Sequence, residues 1–401
     1  KHVFPLEHSV LLTATLCLLA GGAVMVYSAS SARTLLEGSG DGSAYLIKYV
    51  AYAIVGFVAL QLASRMKLDA VRRLTPVILG VAFVLLLLVH VPGIGVNVNG
   101  ATRWVGAGPL QFQPSELMKL ALVLYAVNLL ATKPGMVRTI KGIGSPLLLV
   151  CGAACLLILS QPDLGTALVI GFTMAALLVA AGMPMRLLMT LGGAAAVLVL
   201  LFALSADYRR ERLMTFLDPW AQAGDAGFQS VQGQIALGSG GLFGLGIGES
   251  VQKIFYLPEA HTDFILAVIG EELGVLGVGM LLALYGLVAY AGLRVAQRAK
   301  GRYAQLLAAG ITSLILCQGL LNVFAVLGLA PLTGVPLPFI SYGSSNLLVL
   351  LAGMGMLLNV ADGGRVRLKV VEGSKGAGRD RSRRDSRTRG AGAGGRRRAA
   401  G

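Results

Sequence analysis

Residues 187–204 read LLMTLGGAAAVLVLLFAL, eighteen positions without a charge. The hydrocarbon core of a bilayer takes about 20 mostly apolar residues as helix, because each backbone N–H and C=O must find its partner inside the segment. The stretch therefore reads as a membrane span. Working outward, similar runs recur near residues 9–28, 45–64, 74–91, 115–131, 145–160, 164–182, 263–292, 305–329 and 343–361. Together they predict an all-α polytopic membrane protein of ten transmembrane helices, filling residues 1–361. The runs flanking Gln161–Asp163 are so close that they must form a tight hairpin.

Composition agrees. Of 401 residues 55% are hydrophobic and 13% charged, with a mean hydropathy of +0.75, which excludes an ordinary soluble enzyme. Cys17, Cys151, Cys155 and Cys317 all sit in apolar runs, which argues against a disulfide scaffold or a zinc site. The net charge of +15 resembles a nucleic-acid signal until it is located: residues 362–401 hold 13 Lys/Arg against 4 Asp/Glu. No nucleic-acid partner is expected of the membrane domain. Residues 362–401 read as a disordered basic cytoplasmic tail resting on anionic lipid, with a docking segment as the alternative.

Orientation follows from short-loop Lys and Arg, which resist translocation. The loops after spans two, four, six and eight hold 12 of them, and the short loops of the other side hold only Arg33 and Arg103. Both termini are therefore expected in the cytoplasm, and the long loop of residues 205–262, between spans seven and eight, outside. The first run closes on Ser28-Ala29-Ser30, which also suits signal-peptide cleavage; retention as a span is the favoured reading.

Ionisable groups in or beside spans are costly and therefore informative. Span four opens with Gln113, Pro114, Ser115 and Glu116, and Lys119 follows Glu116 at i+3, so the two can neutralise one another. They read either as a structural ion pair or as the lining of a polar cavity. Before span eight stands Glu259-Ala260-His261-Thr262-Asp263. Asp263 is expected in the first turn of that helix with Thr262 as N-cap, where a carboxylate suits the macrodipole. The small residues Ala267, Gly270, Gly274 and Gly277 continue roughly the same face, which points Asp263 at protein or a polar cavity instead of lipid. Glu271 and Glu272 lie roughly 80° and 180° around the helix from Asp263 and read as packing or pairing groups.

Basic residues Arg103, Lys119, Arg209, Arg210, Arg212 and Lys253 lie near Trp104, Phe112, Trp220 and Phe255 in sequence, a mixture that fits a phosphate-bearing lipid head group or ordinary interfacial anchoring. The stretch GSGGLFGLGIG at residues 238–248 lacks a Walker pattern and reads as a re-entrant or tightly turned segment. Residues 331–345, with Pro331, Pro336 and Pro338 ahead of Ser341, cannot be regular helix.

The motifs GGAVMVYSASS (21–31), NGATRWVGAGPLQFQPSELMK (99–119), QPDLGTA (161–167), GSGGLFGLGIG (238–248), YLPEAHTDFILAVIGEELG (256–274) and PLPFISYGSS (336–345) resemble, in this order, the SEDS family of bacterial shape, elongation, division and sporulation proteins. Phe216-Leu217-Asp218-Pro219-Trp220 and Ala260 look more like its division and sporulation branch; Ser344 departs from the usual glycine. The resemblance implies a peptidoglycan glycosyltransferase of the bacterial cytoplasmic membrane, at the division septum. Its implied substrate is lipid II, and its implied partners are a class B penicillin-binding protein and other divisome proteins. It also implies Asp263 as the catalytic residue, with Arg103, Glu116 and Lys119 as cavity partners. Gln113, Glu259, His261, Arg210, Arg212 and Ser341 complete the candidate substrate-binding set. No cofactor is assigned, although a divalent cation held by Asp263 is compatible. A lipid II flippase or transporter, and a non-catalytic divisome scaffold, are the competing readings.

Overall fold

The computed structural model describes residues 5–36, 42–98, 100–107, 110–205, 207–224, 227–253, 257 and 260–363. The predicted tail beyond Gly363, and Glu259, lie outside the described residues. Helices α1 (Leu6–Leu36), α2 (Ala44–Arg65) and α3 (Leu68–Leu88) lead into strands β1 (Gly95–Val98), β2 (Ala101–Ala107) and β3 (Leu110–Phe112). After α4 (Pro114–Thr132) come the single turn α5 (Ile140–Ile143), α6 (Leu149–Ser160), α7 (Leu164–Ala180) and α8 (Met185–Leu204). The long loop carries α9 (Asp207–Leu217) and α10 (Phe228–Ser239), and α11 (Ile265–Arg298), α12 (Arg302–Val326) and α13 (Ser344–Ala361) finish the bundle.

Eight of these helices, α1 to α4, α8 and α11 to α13, are long and apolar enough to cross a membrane, and two shorter apolar helices, Pro146–Ser160 and Leu164–Ala180, join at the hairpin expected around Gln161–Asp163. The chain is an integral membrane protein. Its centre is α12 and α13, 78% buried along their spans, whereas α8 has none of its span buried and stands at the rim. The antiparallel sheet β1-β2-β3 was not expected from the apolar pattern. Its strands are short and lie between spans, where hydropathy says little.

Two polar contacts gather the helix ends at one end of the bundle. His8 lies 2.8 Å from Asp362 and Arg298 pairs with Glu7, so the start of α1 meets the ends of α11 and α13. At the opposite end the backbone N–H of Gln113, leading into α4, donates to Ser345 Oγ at 2.8 Å, and the Arg103 guanidinium on β2 donates to Gln161 O at 3.0 Å and to Pro162 O.

Helix α11 breaks at Gly274 (φ 65°, ψ −163°). An unbroken helix would join the Val275 and Leu276 N–H groups to the Glu271 and Glu272 carbonyls. Instead the glycine-rich turn takes both sides of that ladder. Leu245 and Gly246 N–H donate to Glu271 O and Glu272 O at 2.9 and 3.0 Å, while Val275 and Leu276 N–H donate to Gly241 O and Leu242 O at 3.0 and 3.2 Å. The approach needs glycine, since a Cβ on Gly244 would run into the Glu272 backbone. The expected tight turn at 238–248 is thus a segment inserted into the helix, with positive φ at Gly241, Gly244, Gly246 and Gly248. Below it, Glu271 accepts from Ser250 Oγ at 2.5 Å and from Val251 N at 3.0 Å, and Glu272 pairs with Lys253 at 2.7 Å.

Candidate active site around Asp263

Asp263 stands in a turn, two residues before the first helical residue of α11. Thr262 is therefore not the N-cap: Phe264 holds that position without a side-chain cap, and the Thr262 hydroxyl donates to Asp263 Oδ1 at 3.1 Å instead. The macrodipole account of Asp263 weakens accordingly. The residue is half-buried on the wall of a cavity of about 410 Å³, shared with Arg103, Thr215, Trp220, Gln229 and Gln234.

Opposite the start of α11, the proline-rich segment forms the base of the site. It has no regular structure, so its carbonyls need other donors. They come from three helices. Asn322 and Gln318 on α12 donate to Val335 O and Pro336 O at 2.8 and 2.9 Å, and Tyr285 and Tyr49 hydroxyls donate to Pro338 O and Phe339 O, both at 2.5 Å. Leu337 O accepts from Ile340 and Ser341 N–H at 3.3 and 3.1 Å. Five consecutive carbonyls are thus satisfied, and Phe339 is held at φ 64°, a region that side chains other than glycine rarely occupy.

The candidate residues divide by place. Arg103 and Asp263 share the cavity; Glu116 and Lys119 do not line it. Their ion pair, 2.9 Å long, is buried in the bundle, and Lys119 Nζ also donates to Gln318 Oε1 at 2.7 Å. Gln113 reaches Asp163 instead, its amide 3.3 Å from Oδ2, and Ser115 Oγ donates to the same oxygen at 3.2 Å. His261 turns its ring onto Tyr45 and Tyr342, with centroids 4.4 and 5.6 Å away, and its carbonyl accepts from Tyr342 N. Burial, then neighbouring Tyr52 and Tyr45, push the Tyr342 phenol up to about 12, so it is a neutral packing group at working pH. Ser341 is buried and accepts from Leu337 N at 2.8 Å, a structural contact. Arg210 is exposed on α9; the Arg212 side chain lies outside the described residues, as does Glu259. Among the described residues no group of three His, Cys, Asp or Glu side chains is placed to hold a metal ion.

Gln229, Gln234, Thr215, Gln318 and Asn322 carry no charge and do not stand out in the sequence as the ionisable groups do. Gln318 and Asn322 interrupt an apolar run at i and i+4, a signal of the same kind as Glu116 and Lys119 but weaker for want of charge.

With this geometry in place, comparison with known proteins is informative. Residues 8–365 match the family model for FtsW, RodA and SpoVE, described as cell cycle proteins. A probable peptidoglycan glycosyltransferase FtsW of Geobacter sulfurreducens is 41% identical over 353 residues, 88% of this chain and 94% of the relative. Stage V sporulation protein E of Bacillus subtilis is 38% identical over 353 residues, 88% of this chain and 96% of the relative. Among solved structures, the rod shape determining protein RodA of Thermus thermophilus superposes with a TM-score of 0.65 at 28% identity, over 89% of this chain and 97% of its own. A chain from a peptidoglycan synthase complex, studied for its coordination of polymerization and crosslinking, gives a TM-score of 0.72 at 28% identity, over 92% of this chain and all of its own. The chain is therefore a member of the FtsW/RodA/SpoVE family of cell cycle proteins.

Proposed function

We propose that the chain is a peptidoglycan glycosyltransferase that polymerises lipid II during cell division, with Asp263 as general base. The observation that carries the reading is the shared cavity: one carboxylate, one guanidinium, the amides of Gln229 and Gln234, and the Trp220 ring. Amides and an aromatic face suit a sugar, and the guanidinium suits a phosphate. The acceptor sugar hydroxyl attacks the anomeric carbon of the donor, forming the new C–O bond while the C–O bond to the lipid pyrophosphate breaks. Asp263 takes the hydroxyl proton, a role worth about 10²- to 10⁴-fold. Arg103, its plane fixed by the Gln161 and Pro162 carbonyls, meets the charge that develops on the pyrophosphate. A divalent cation beside Asp263 remains compatible with this scheme, and no step is assigned to one.

Homology to proteins named FtsW and SpoVE, together with the likeness to a peptidoglycan synthase complex, supports a partner class of crosslinking penicillin-binding proteins within the divisome. The basic-loop asymmetry supports both termini in the cytoplasm and the cavity on the outer side, the apolar runs support ten crossings, and the likeness to proteins named FtsW supports the septal membrane. The test is glycan polymerisation from labelled lipid II by the purified protein in detergent. Asp263→Asn should fold and insert normally yet lose at least roughly 100-fold in rate. Turnover near wild type in that variant overturns the assignment. The same assay separates the competing readings, because a flippase has no sides to connect in detergent and a scaffold makes no product.

A further inference from the structure

The geometry points to Asn322 as a positioning residue that sets the Asp263 carboxylate by gripping its backbone from a neighbouring helix. The inference rests on Asp263 being the base.

Asn322 lies on α12, 2% exposed, and its Nδ2 donates to two carbonyls at once: Asp263 O at 2.7 Å and Val335 O at 2.8 Å. The two acceptors belong to two adjoining segments of the cavity lining. Asp263 precedes α11, and the Val335 carbonyl continues from Thr333 and Gly334, which both line the cavity. The segments are close, since a Cβ on Gly334 would lie 3.8 Å from Asp263 Oδ2. One amide thus fixes their separation.

Asp263 needs such a grip. It is outside the helical ladder of α11, the first turn of that helix has no side-chain cap, and the carboxylate is the part that must meet the substrate hydroxyl within hydrogen-bond reach. Backbone held at its own carbonyl gives the χ1 rotor a fixed base, whereas a free turn would carry the carboxylate with it. Asn322 is also a poor choice for stability alone: its Oδ1 is buried without a hydrogen-bond partner. What the residue supplies is the pair of donors.

The molecule contains a matched control. Asn359 on α13 is likewise buried, its Nδ2 donates to Ala63 O at 3.2 Å and to Met66 O, and its Oδ1 also has no partner. It makes the same kind of paired bond at the opposite end of the bundle, there to the last turn of α2, away from the cavity and near the Asp362 contact with His8.

The experiment compares Asn322→Leu, Asn322→Ser and Asn359→Leu in the full-length protein, measuring kcat and KM for labelled lipid II together with Tm in detergent. Asn322→Leu should lower kcat roughly 10- to 100-fold, the cost of misplacing a reacting group, with KM within about twofold. Asn322→Ser, which keeps one donor, should fall between it and wild type. Asn359→Leu should shift Tm comparably and leave kcat within about twofold. In an Asp263→Asn background, Asn322→Leu or Asn322→Ser should cause no further loss, because the group it positions is gone. Equal kcat losses at Asn322 and Asn359, a loss confined to KM, or losses that multiply in the Asp263→Asn background each overturn the inference. If Asn322→Leu does not fold, the serine variant and its double mutant decide. Near-normal turnover of Asp263→Asn itself refutes the base assignment, a separate outcome.

Discussion

The Ser28 hydroxyl lies 2.6 and 2.7 Å from the two carboxylate oxygens of Glu272, joining α1 to the point where α11 breaks. Lys253 Nζ approaches both, 2.7 Å from Glu272 and 3.2 Å from Ser28. A cation and an anion both buried make a pair that is dangerous to halve. Glu272→Ala should therefore destabilise the protein by about 3–5 kcal/mol, whereas Glu272→Leu combined with Lys253→Met should recover most of that loss. Unfolding curves in detergent measure both, and an Ala variant as stable as wild type contradicts the buried-pair account.

Gly274 is the hinge on which the inserted turn depends. In Gly274→Ala the new Cβ would sit 2.6 Å from the Leu242 carbonyl atoms and force positive φ on alanine. The variant should lose about 1–3 kcal/mol and release residues 241–246 from the helix. Protease or thiol-reagent access to a cysteine at Leu245, increased over the parent, reports that release; unchanged access argues that the insertion does not need glycine there.

The sequence showed this region only in part. Its glycine content announced a tight turn, and the apolar runs placed most helix ends closely but stopped short of the end of α1 at Leu36, the start of α3 at Leu68 and the end of α11 at Arg298, because hydropathy and glycine conformation are local properties. Membership of a wall is not local. Charge and spacing left Glu116 and Lys119 open between a structural ion pair and a cavity lining, because whether a helix face meets solvent or α12 depends on what packs there. The position of Asp263 was legible through its neighbours, while its support from Asn322, 59 residues away, was not. An uncharged amide in an apolar run carries a weaker signal than a carboxylate, although the cost of burying it unpaired is what makes it informative.

The buried pair on α4 makes its own prediction. Glu116→Gln leaves the buried Lys119 with neutral amide oxygens and no counter-charge, and should lower both stability and activity. Reversal, Glu116→Lys with Lys119→Glu, restores the pair yet turns a carboxylate toward Gln318 Oε1. The amide must then flip and give up its bonds to Pro336 O and Asn346 Oδ1. Stability should return further than polymerisation does. Full activity in the reversed protein would show that Gln318 does not connect this pair to the base of the site.

Sidedness can be read with thiol chemistry. A cysteine at Asp225, in the long loop, should react with an impermeant maleimide in intact cells, and one at Arg298, at the opposite end of the bundle, only after lysis. The reverse pattern would invert the topology and place the Asp263 cavity in the cytoplasm.

The Tyr49 hydroxyl bonds the Phe339 carbonyl across 290 residues of chain. At roughly 5–20 residues per second of synthesis, Tyr49 enters the membrane about 15–60 s before its acceptor exists. The same delay, shortened, applies to Tyr285, Gln318 and Asn322. The helices that surround the proline-rich segment must therefore assemble before its carbonyls arrive to meet their donors, so completion of the wall of the Asp263 cavity is among the last events of biogenesis. Ribosome stalling or truncation ahead of Val335 would leave an inserted bundle whose central donors, Tyr49, Tyr285, Gln318 and Asn322, lack the carbonyls they meet in the finished protein.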